Sequence, residues 1–187
     1  MMIFKETKLK GAFIVELDKK EDERGFFARA FCRNEFSKQG LKADIAQINT
    51  SHNNKKGTLR GMHFQADPYP ECKINRCIRG AIYDVIIDLR PDSKTFKQWF
   101  GIELREGDGR MLYVPEHFAH GYQTLEDHSE VLYLVTQFYV PSAGKGVLYN
   151  DPAFNIQWPV EITSVSEQDM SWKPFKLEGT LKCSCGS

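Results

Sequence analysis

The sequence lacks any run of about 18 apolar residues, the length that a transmembrane helix requires. Its first residues, MMIFKETKLKG, also lack the apolar stretch of a signal peptide. There is no excess of charge, because 25 lysines and arginines balance 25 aspartates and glutamates. Since proteins that bind a phosphate backbone usually carry a basic excess, we expect neither a membrane nor a nucleic acid as partner.

Cysteines are few, and their number is odd. The five cysteines follow no regular spacing, so we expect free thiols and a reducing cytoplasm. The Cys183-Ser-Cys185 segment resembles half of a metal site, but no second Cys or His pair is available to complete it. Repeats and Pro/Ser-rich linkers are also absent. We therefore predict one domain over residues 1–187, with an extended tail from about residue 176.

Short runs rich in β-branched and aromatic residues are bounded by Gly, Pro, Asn or Asp, which is typical of a β-sandwich or barrel. Helix signals are limited to residues 34–40 and 166–172, the second with Ser166 as candidate N-cap. The run IYDVIIDL places Asp84 opposite the purely apolar face, pointing into a polar barrel interior. We predict an all-β fold with a few short helices. The predicted strands are 12–17, 25–31, 43–51, 58–64, 74–78, 81–89, 97–104, 110–114, 121–124 and 130–139.

The densest polar stretch is QINTSHNNKKGTLRGMHFQ, which begins at Gln47. In a strand, Gln47 and Asn49 share one face. Arg60 and His63 cannot share a face in an unbroken strand because their separation is odd, but Gly61 permits a bulge that re-aims one of them. An ordinary hairpin with solvated polar residues remains the alternative; by itself it explains Gln47 and Asn49 better and explains His63 equally well.

Two spacings match the two motifs of cupin barrels. Gly57 is followed, after five residues, by His63, as in the opening of the first motif. Gly109, followed by Pro115 and then His120, matches the second. These spacings predict a cupin-type jelly roll and bring the two histidines into one barrel.

The metal ligands of a cupin are incomplete here. Metal-binding cupins supply two His and a Glu from the first motif and one His from the second. Gln65 stands where the second His would be, and Glu71 lies later than the motif's Glu. Two imidazoles alone make a poor metal site, so we predict no metal and a buried histidine that transfers protons.

Taken together, the motifs resemble the dTDP-4-dehydrorhamnose 3,5-epimerase family, which are metal-independent cupins. The resemblance runs in order from about residue 12 to about residue 172, and the full series is far more specific than any one piece. The matching segments are DERGFF (22–27), QINTSHNNKKGTLRGMHFQ (47–65), Lys73, GAIYDVIIDLR (80–90), SKTFKQW (93–99), PEHFAHG (115–121), Tyr133, YVP (139–141), DP (151–152), WP (158–159) and SEQD (166–169).

The resemblance implies an isomerase without cofactor that inverts C3, C5 or both in a nucleotide-linked 4-keto-6-deoxy sugar. His63 would be the base and Asp169 would accept its other ring N–H. Tyr133 would return a proton from the opposite face, while Lys73 and His120 would stabilise the oxyanion. From spacing alone, Asp169 is equally a helix-start residue, Tyr133 a core aromatic and Lys73 a surface lysine.

The resemblance also implies a site for the nucleotide. Arg24 and Arg60 would bind the diphosphate, because a guanidinium group bonds phosphate oxygens in pairs. Gln47 and Asn49 would contact the nucleotide or sugar, and Phe27 the base. A homodimer is implied, in which the strand near Arg24 reaches into the partner's site. Alone, Arg24 also suits a turn with a surface ion pair.

Two departures from the family pattern bear on the substrate. Arg29 stands where a Glu is usual, and Glu71 where a Gln is usual. The first change reverses charge and hydrogen-bond polarity beside the nucleotide, so the nucleotide is left open between dTDP, CDP and GDP. The alternatives to an epimerase are a metal-dependent cupin isomerase or oxygenase and a non-catalytic sugar-binding cupin.

Overall fold

The computed structural model describes residues 1–175 and consists of two antiparallel sheets packed face to face, with two short helices outside them. The sequence supplies many short apolar stretches of period two and few helix signals, which explains this composition. The elements are β1 (Ile3–Glu6), β2 (Phe13–Glu16), β3 (Lys20–Asp22), β4 (Gly25–Phe27), α1 (Arg33–Lys38), β5 (Gln47–Asn53), β6 (Thr58–Gln65), β7 (Lys73–Arg79), β8 (Ala81–Asp88), β9 (Trp99–Arg105), β10 (Arg110–Val114), β11 (Phe118–Thr124), β12 (Ser129–Val135), β13 (Gly144–Gly146), β14 (Ser164–Val165) and α2 (Glu167–Met170).

The strand order shows a jelly roll of the cupin type. The first sheet runs β1-β2-β10-β7-β12-β5, and the second runs β13-β6-β11-β8-β9, with β14 added parallel to β6. Strands β3 and β4 form a separate hairpin. The predicted all-β fold is therefore confirmed.

The main core lies between the two sheets, and it follows the alternation of each strand. On β8, Ile82 and Ile86 point into the barrel, while Val85 and Ile87 point outward against a second apolar cluster. On the first sheet, Ile74 of β7 points outward to a cluster that is covered by α1. This two-sided burial accounts for the nearly continuous apolar composition of the central strands.

All ten predicted strands form, with bounds that shift by a few residues. The strands that the sequence did not predict are β1, β3, β13 and β14, each four residues or shorter. These four strands carry too few residues for a period-two signal. Both predicted helical segments are helical, and the hydroxyl of Ser166 accepts the backbone N–H of Asp169 as an N-cap.

Three further expectations concern membrane helices, the cysteine thiols and the C-terminal tail. Within residues 1–175 no helix has the length and apolarity to cross a membrane. Cys32, Cys72 and Cys77 are free thiols. The predicted extended tail and the Cys183-Ser-Cys185 segment lie outside the described residues.

Candidate active site

Two adjoining cavities open into the barrel and share the side chains of His63, Lys73 and Tyr133. The larger, about 470 Å³, is the outer cavity, and the smaller, about 180 Å³, is the inner cavity. The outer cavity is also lined by Gln47, Asn49, Phe64, Gln65, Glu71, Val135, Tyr139, Gly144, Lys145, Gln168 and Trp172. The inner cavity is also lined by Ser51, Arg60, His120, Tyr122 and Val131.

A bulge in β6 brings Arg60 and His63 to the same cavity. His63 pairs with His120 and Arg60 pairs with Tyr122 across the neighbouring strand, with a register shift between the two pairs. Gly61, at φ 128°, occupies the shift, and its Cα approaches the backbone of β11 too closely for a side chain. The bulge that Gly61 permits is therefore present.

His63 forms a hydrogen-bonded dyad with Asp169. The ring Nε2 lies 2.5 Å from Oδ1 of Asp169, and Oδ2 of the same carboxylate accepts the backbone N–H of Gly61 at 3.1 Å. Burial alone would raise the pKa of Asp169, but the hydrogen bonds from His63 and Gly61 outweigh it and hold the pKa below its usual value. With the Nε2 proton directed at Asp169, the lone pair of Nδ1 is left for proton abstraction.

The ring of His63 is less buried than the sequence predicted. Its side chain is 43% exposed, whereas that of Asp169 is 3% exposed. The ring borders both the outer and the inner cavity, so part of its surface stays accessible. The dyad thus has a buried orienting carboxylate and an accessible base.

Tyr133 and Lys73 lie on neighbouring strands of the opposite wall. The ammonium of Lys73 is 3.0 Å from Oε1 of Glu71, and the two side chains are only 12% and 11% exposed. Burial, and next the negative charge of Glu71, raise the pKa of the Tyr133 phenol, while the charge of Arg60 acts in the opposite direction. The phenol therefore remains a protonated donor at neutral pH.

A second imidazole–carboxylate pair lies beside the inner cavity, which His120 lines. Nε2 of His120 lies 2.6 Å from Oδ1 of Asp84, which is fully buried in the barrel, as its strand position predicted. Arg60 is oriented by Asn53, whose Oδ1 accepts from Nε at 2.7 Å. Hydrogen bonds to Asp84 and Asn53 therefore fix the side chains of His120 and Arg60, which line the inner cavity together with His63.

Three predicted nucleotide contacts lie away from both cavities of this chain. Arg24 is 82% exposed and pairs with Asp22 in the turn of the β3–β4 hairpin. Phe27 is 76% exposed on the same hairpin. Arg29 pairs with Glu35 of α1 at 3.2 Å. Arg24, Phe27 and Arg29 therefore line neither the outer nor the inner cavity of this chain.

Gln65 stands where metal-binding cupins have a second histidine, and its amide group bonds backbone atoms. Gln65 accepts the backbone N–H of Val140 through Oε1 and donates to two carbonyls, those of Tyr69 and Phe138, through Nε2. Within residues 1–175, no three His, Cys, Asp or Glu side chains form a group that could hold a metal ion. Gln65 anchors the segment that follows β12.

Sequence reasoning missed several cavity residues. Tyr139 and Trp172 are aromatic residues of the outer cavity, and Gln168 and Lys145 add polar groups. Tyr139 belongs to the YVP match and Gln168 to the SEQD match, so a signal for these two was present. Lys145 and Trp172 had no comparable signal, because short segments bring them to the cavity from far along the chain.

This arrangement suits proton transfer at a carbon atom. A base oriented by a carboxylate, His63, faces a cavity that also contains a phenol, Tyr133, and two further nitrogen donors, Lys73 and Arg60. A base and an acid on different walls can remove a proton from one face of a carbon and return one to the other face. The cationic side chains can stabilise a developing oxyanion.

Comparison with known proteins agrees with this chemistry. The family model described as dTDP-4-dehydrorhamnose 3,5-epimerase matches residues 6–177. A protein of that name from Methanothermobacter thermautotrophicus is 40% identical over 176 residues, covering 92% of this chain and 94% of its own. The crystal structure of the Bacillus anthracis enzyme with TDP and PPi bound has a TM-score of 0.90 and 39% identity, covering 94% of this chain and 100% of its own.

A further solved structure contains a sugar nucleotide. It is the Legionella pneumophila enzyme in complex with dTDP-4-keto-L-rhamnose, with a TM-score of 0.86 and 32% identity over 92% of both chains. The family model and these relatives each span nearly the whole chain. The chain belongs to the dTDP-4-dehydrorhamnose 3,5-epimerase family.

Proposed function

We propose that this protein is an epimerase that inverts C3, C5 or both of a nucleotide-linked 4-keto-6-deoxy sugar, with His63 as its base. The observation that carries the proposal is the His63–Asp169 dyad at the edge of a cavity that also contains Tyr133 and Lys73. Family membership supports the reaction class, an isomerase acting on a sugar nucleotide. The residue roles are those that the family resemblance implies, and the positions of the residues in the two cavities support them.

The first step is proton abstraction next to the ketone. Nδ1 of His63 removes the hydrogen on C3 or C5, and the C–H electron pair delocalises onto O4 as an enolate. Asp169 orients the ring and stabilises the imidazolium that forms. Lys73, with His120 across the inner cavity, stabilises the negative charge on O4, because both direct nitrogen atoms into the same space.

The second step is protonation from the opposite face. Tyr133 donates its phenol proton to the carbon, the C4 ketone re-forms, and the configuration is inverted. The proton on His63 then restores the phenol, directly or through solvent, so the enzyme returns to its starting state. A raised phenol pKa suits this step because the group stays protonated until the enolate is present.

The nucleotide moiety would lie in the outer part of the site. Gln47 and Asn49 supply amide groups on the outer-cavity wall. Arg60 lies in the adjoining inner cavity, beside His63, and supplies a guanidinium that suits a phosphate at the boundary between the two cavities. The ligands of the related structures, TDP and dTDP-4-keto-L-rhamnose, make a dTDP sugar the first substrate to test. Because Arg29 stands where a Glu is usual in the family, CDP and GDP sugars must be tested beside the dTDP sugar.

The complete site would be formed by a homodimer. The β3–β4 hairpin forms no ladder with either large sheet, and a two-stranded hairpin is marginally stable alone. It exposes Phe26 and Phe27 together with Arg24. Placing this hairpin over the partner's outer cavity would bury the aromatic rings, bring Arg24 to the diphosphate and reduce the exposure of His63.

Deuterium exchange tests the proposal. The protein is incubated in deuterated water with 4-keto-6-deoxy sugars on dTDP, CDP and GDP, and deuterium at C3 and C5 is followed by NMR. Incorporation at both carbons identifies a double epimerase, and at one carbon a mono-epimerase. Protein that binds these nucleotides without exchanging either hydrogen would contradict the proposal and favour a sugar-binding cupin.

A further inference from the structure

The carboxylate that orients the base belongs to a very short helix. Asp169 lies in α2, which has four residues, and a helix of this length is not stable by itself because nucleation is unfavourable and few hydrogen bonds follow it. On the N-terminal side the segment is attached to β6 through β14, where Ser164 pairs with Thr58. The position of Asp169 therefore depends also on what holds the chain after α2.

The indole of Trp172, three residues after Asp169, lies directly against the backbone of Gly146. A Cβ built on Gly146 would overlap Cε2 and Nε1 of Trp172, so only a glycine leaves room for the ring. Nε1 is buried and has no hydrogen-bond partner among the described residues. The N–H edge of the ring thus faces the strand, and packing holds the indole there.

Gly146 connects this contact to the base. It lies in β13 and pairs with His63 of β6 across the ladder. The contacts therefore form a closed ring. His63 pairs with Gly146, Gly146 contacts Trp172, and the segment that carries Trp172 also carries Asp169, which lies 2.5 Å from Nε2 of His63.

Beyond Trp172 the chain is attached a second time. The buried carboxylate of Asp151 accepts the backbone N–H of Phe175 at 2.6 Å, and the ring of Phe175 packs on Phe154 with centroids 5.1 Å apart. Contacts on both sides of Trp172 thus direct its indole toward Gly146.

We propose that Trp172, packed on Gly146, is a positioning residue that holds Asp169 against His63. The indole sets the distance between α2 and the strand pair of β6 and β13. Without it, Asp169 would rely on β14 and on the more distant attachment at Phe175. The effect of Trp172 on turnover rests on the proposed epimerase function, whereas its effect on the dyad does not.

Exchange kinetics of Trp172 variants test the positioning role. We expect Trp172→Ala to lower kcat roughly tenfold with little change in KM, because a displaced carboxylate orients the base less well and leaves the substrate contacts in place. Trp172→Phe keeps a ring on Gly146 and should retain most of the activity. In an Asp169→Asn background, Trp172→Ala should cause no further loss, since both residues act through the same dyad. Trp158→Ala is the matched control and should leave kcat unchanged, because Trp158 lines neither cavity and bonds the carbonyl of Tyr149.

Gly146→Ala gives a second test that keeps the indole. The added methyl group displaces the ring, so kcat should fall as it does in Trp172→Ala. Adding Gly146→Ala to Trp172→Ala should lower kcat less than it does in the wild-type protein. A residual effect comes from the backbone carbonyl of Met62, which lies 2.8 Å from the new methyl group.

Urea unfolding separates failure of this proposal from failure of the epimerase function. If Trp172 holds the dyad together, Asp169→Asn lowers the urea midpoint less in Trp172→Ala than in the wild-type protein, whether or not a sugar is turned over. Additive losses of stability or multiplicative losses of kcat would overturn the proposal. A raised KM at unchanged kcat would show a ligand contact instead, and an equal loss of kcat in Trp158→Ala would show a packing role; either result would also overturn it. If the wild-type protein exchanges no hydrogen with any 4-keto sugar, the epimerase function fails, and the unfolding measurements alone decide the role of Trp172.

Discussion

The carboxylate of Asp169 lies 2.5 Å from Nε2 of His63, although 106 residues separate the two in the chain. Two local features produce this contact. Ser166 caps α2 and so fixes Asp169 in its first turn, and the bulge at Gly61 turns β6 so that its N–H also reaches the carboxylate. Asp169 therefore stabilises the bulge and orients the base at once.

Replacement of the base should stop the reaction without unfolding the protein. We expect His63→Ala to lower C–H exchange by roughly 10²- to 10⁴-fold, the usual contribution of a positioned general base. The fold should persist because the side chain is 43% exposed and borders open cavities. His52→Ala is the matched control, since His52 also pairs with a carboxylate, Glu130, but lies outside both cavities. Exchange at the wild-type rate in His63→Ala would refute the assignment.

Asp169 should make stability depend on pH in the acidic range. Its folded-state pKa is lowered, so the charged carboxylate contributes its full stabilisation of the fold at pH values above the ordinary pKa of 3.8. This contribution is lost as pH falls through the folded-state pKa. We expect Asp169→Asn to cost about 1–3 kcal/mol of unfolding free energy at neutral pH, because an amide has a single acceptor oxygen, whereas the two carboxylate oxygens of Asp169 accept from both His63 and Gly61. The cost should shrink toward low pH.

Urea unfolding at a series of pH values measures this difference. Asp92→Asn, which changes an exposed carboxyl outside both cavities, controls for the loss of one acidic group. A difference between wild type and Asp169→Asn that stays constant down to strongly acidic pH would argue against the linkage.

The bulge should be the most sensitive backbone position of the site. A Cβ at Gly61 would lie 2.6 Å from Cα of Gly121, and φ is 128°. We expect Gly61→Ala to destabilise the protein by about 2 kcal/mol or more, combining strain with a clash against the backbone of β11. Gly107→Ala separates the two effects, because Gly107 has φ 73° with no heavy atom within 4 Å of its Cβ position, and it should cost about 1 kcal/mol. Thermal or urea unfolding of both variants measures the difference, and equal losses would exclude the clash.

Much of this site was predictable, because it depends on local rules. The odd spacing of Arg60 and His63 around a glycine indicated that a bulge was possible. The capping signal at Ser166 predicted α2, and the alternation of β8 predicted the interior position of Asp84. The His63–Asp169 contact was predicted only through the family resemblance, since no local pattern joins residues so far apart.

Other features depend on which strands become neighbours. Asn75 is one polar residue in a mixed strand, and its burial follows from the register with β10 and β12, which one sequence does not specify. The exposure of His63 was also unpredictable, because it depends on the two cavities that its ring borders. Short strands such as β13 pair by their position beside β6 and have no period of their own.

Glu71 should control the alkaline limit of activity. Its carboxylate raises the pKa of Tyr133, after the larger effect of burial, and it pairs with Lys73 at 3.0 Å. If Tyr133 donates the proton, activity is lost as pH rises through the phenol pKa. Glu71→Gln removes the negative charge, so the phenol pKa should fall and the alkaline limb of the kcat profile should move to lower pH. Glu116→Gln is the matched control, because Glu116 also pairs with a lysine, Lys42, away from both cavities. An unmoved alkaline limb in Glu71→Gln, or an equal shift in Glu116→Gln, would show that Glu71 does not act on the proton donor.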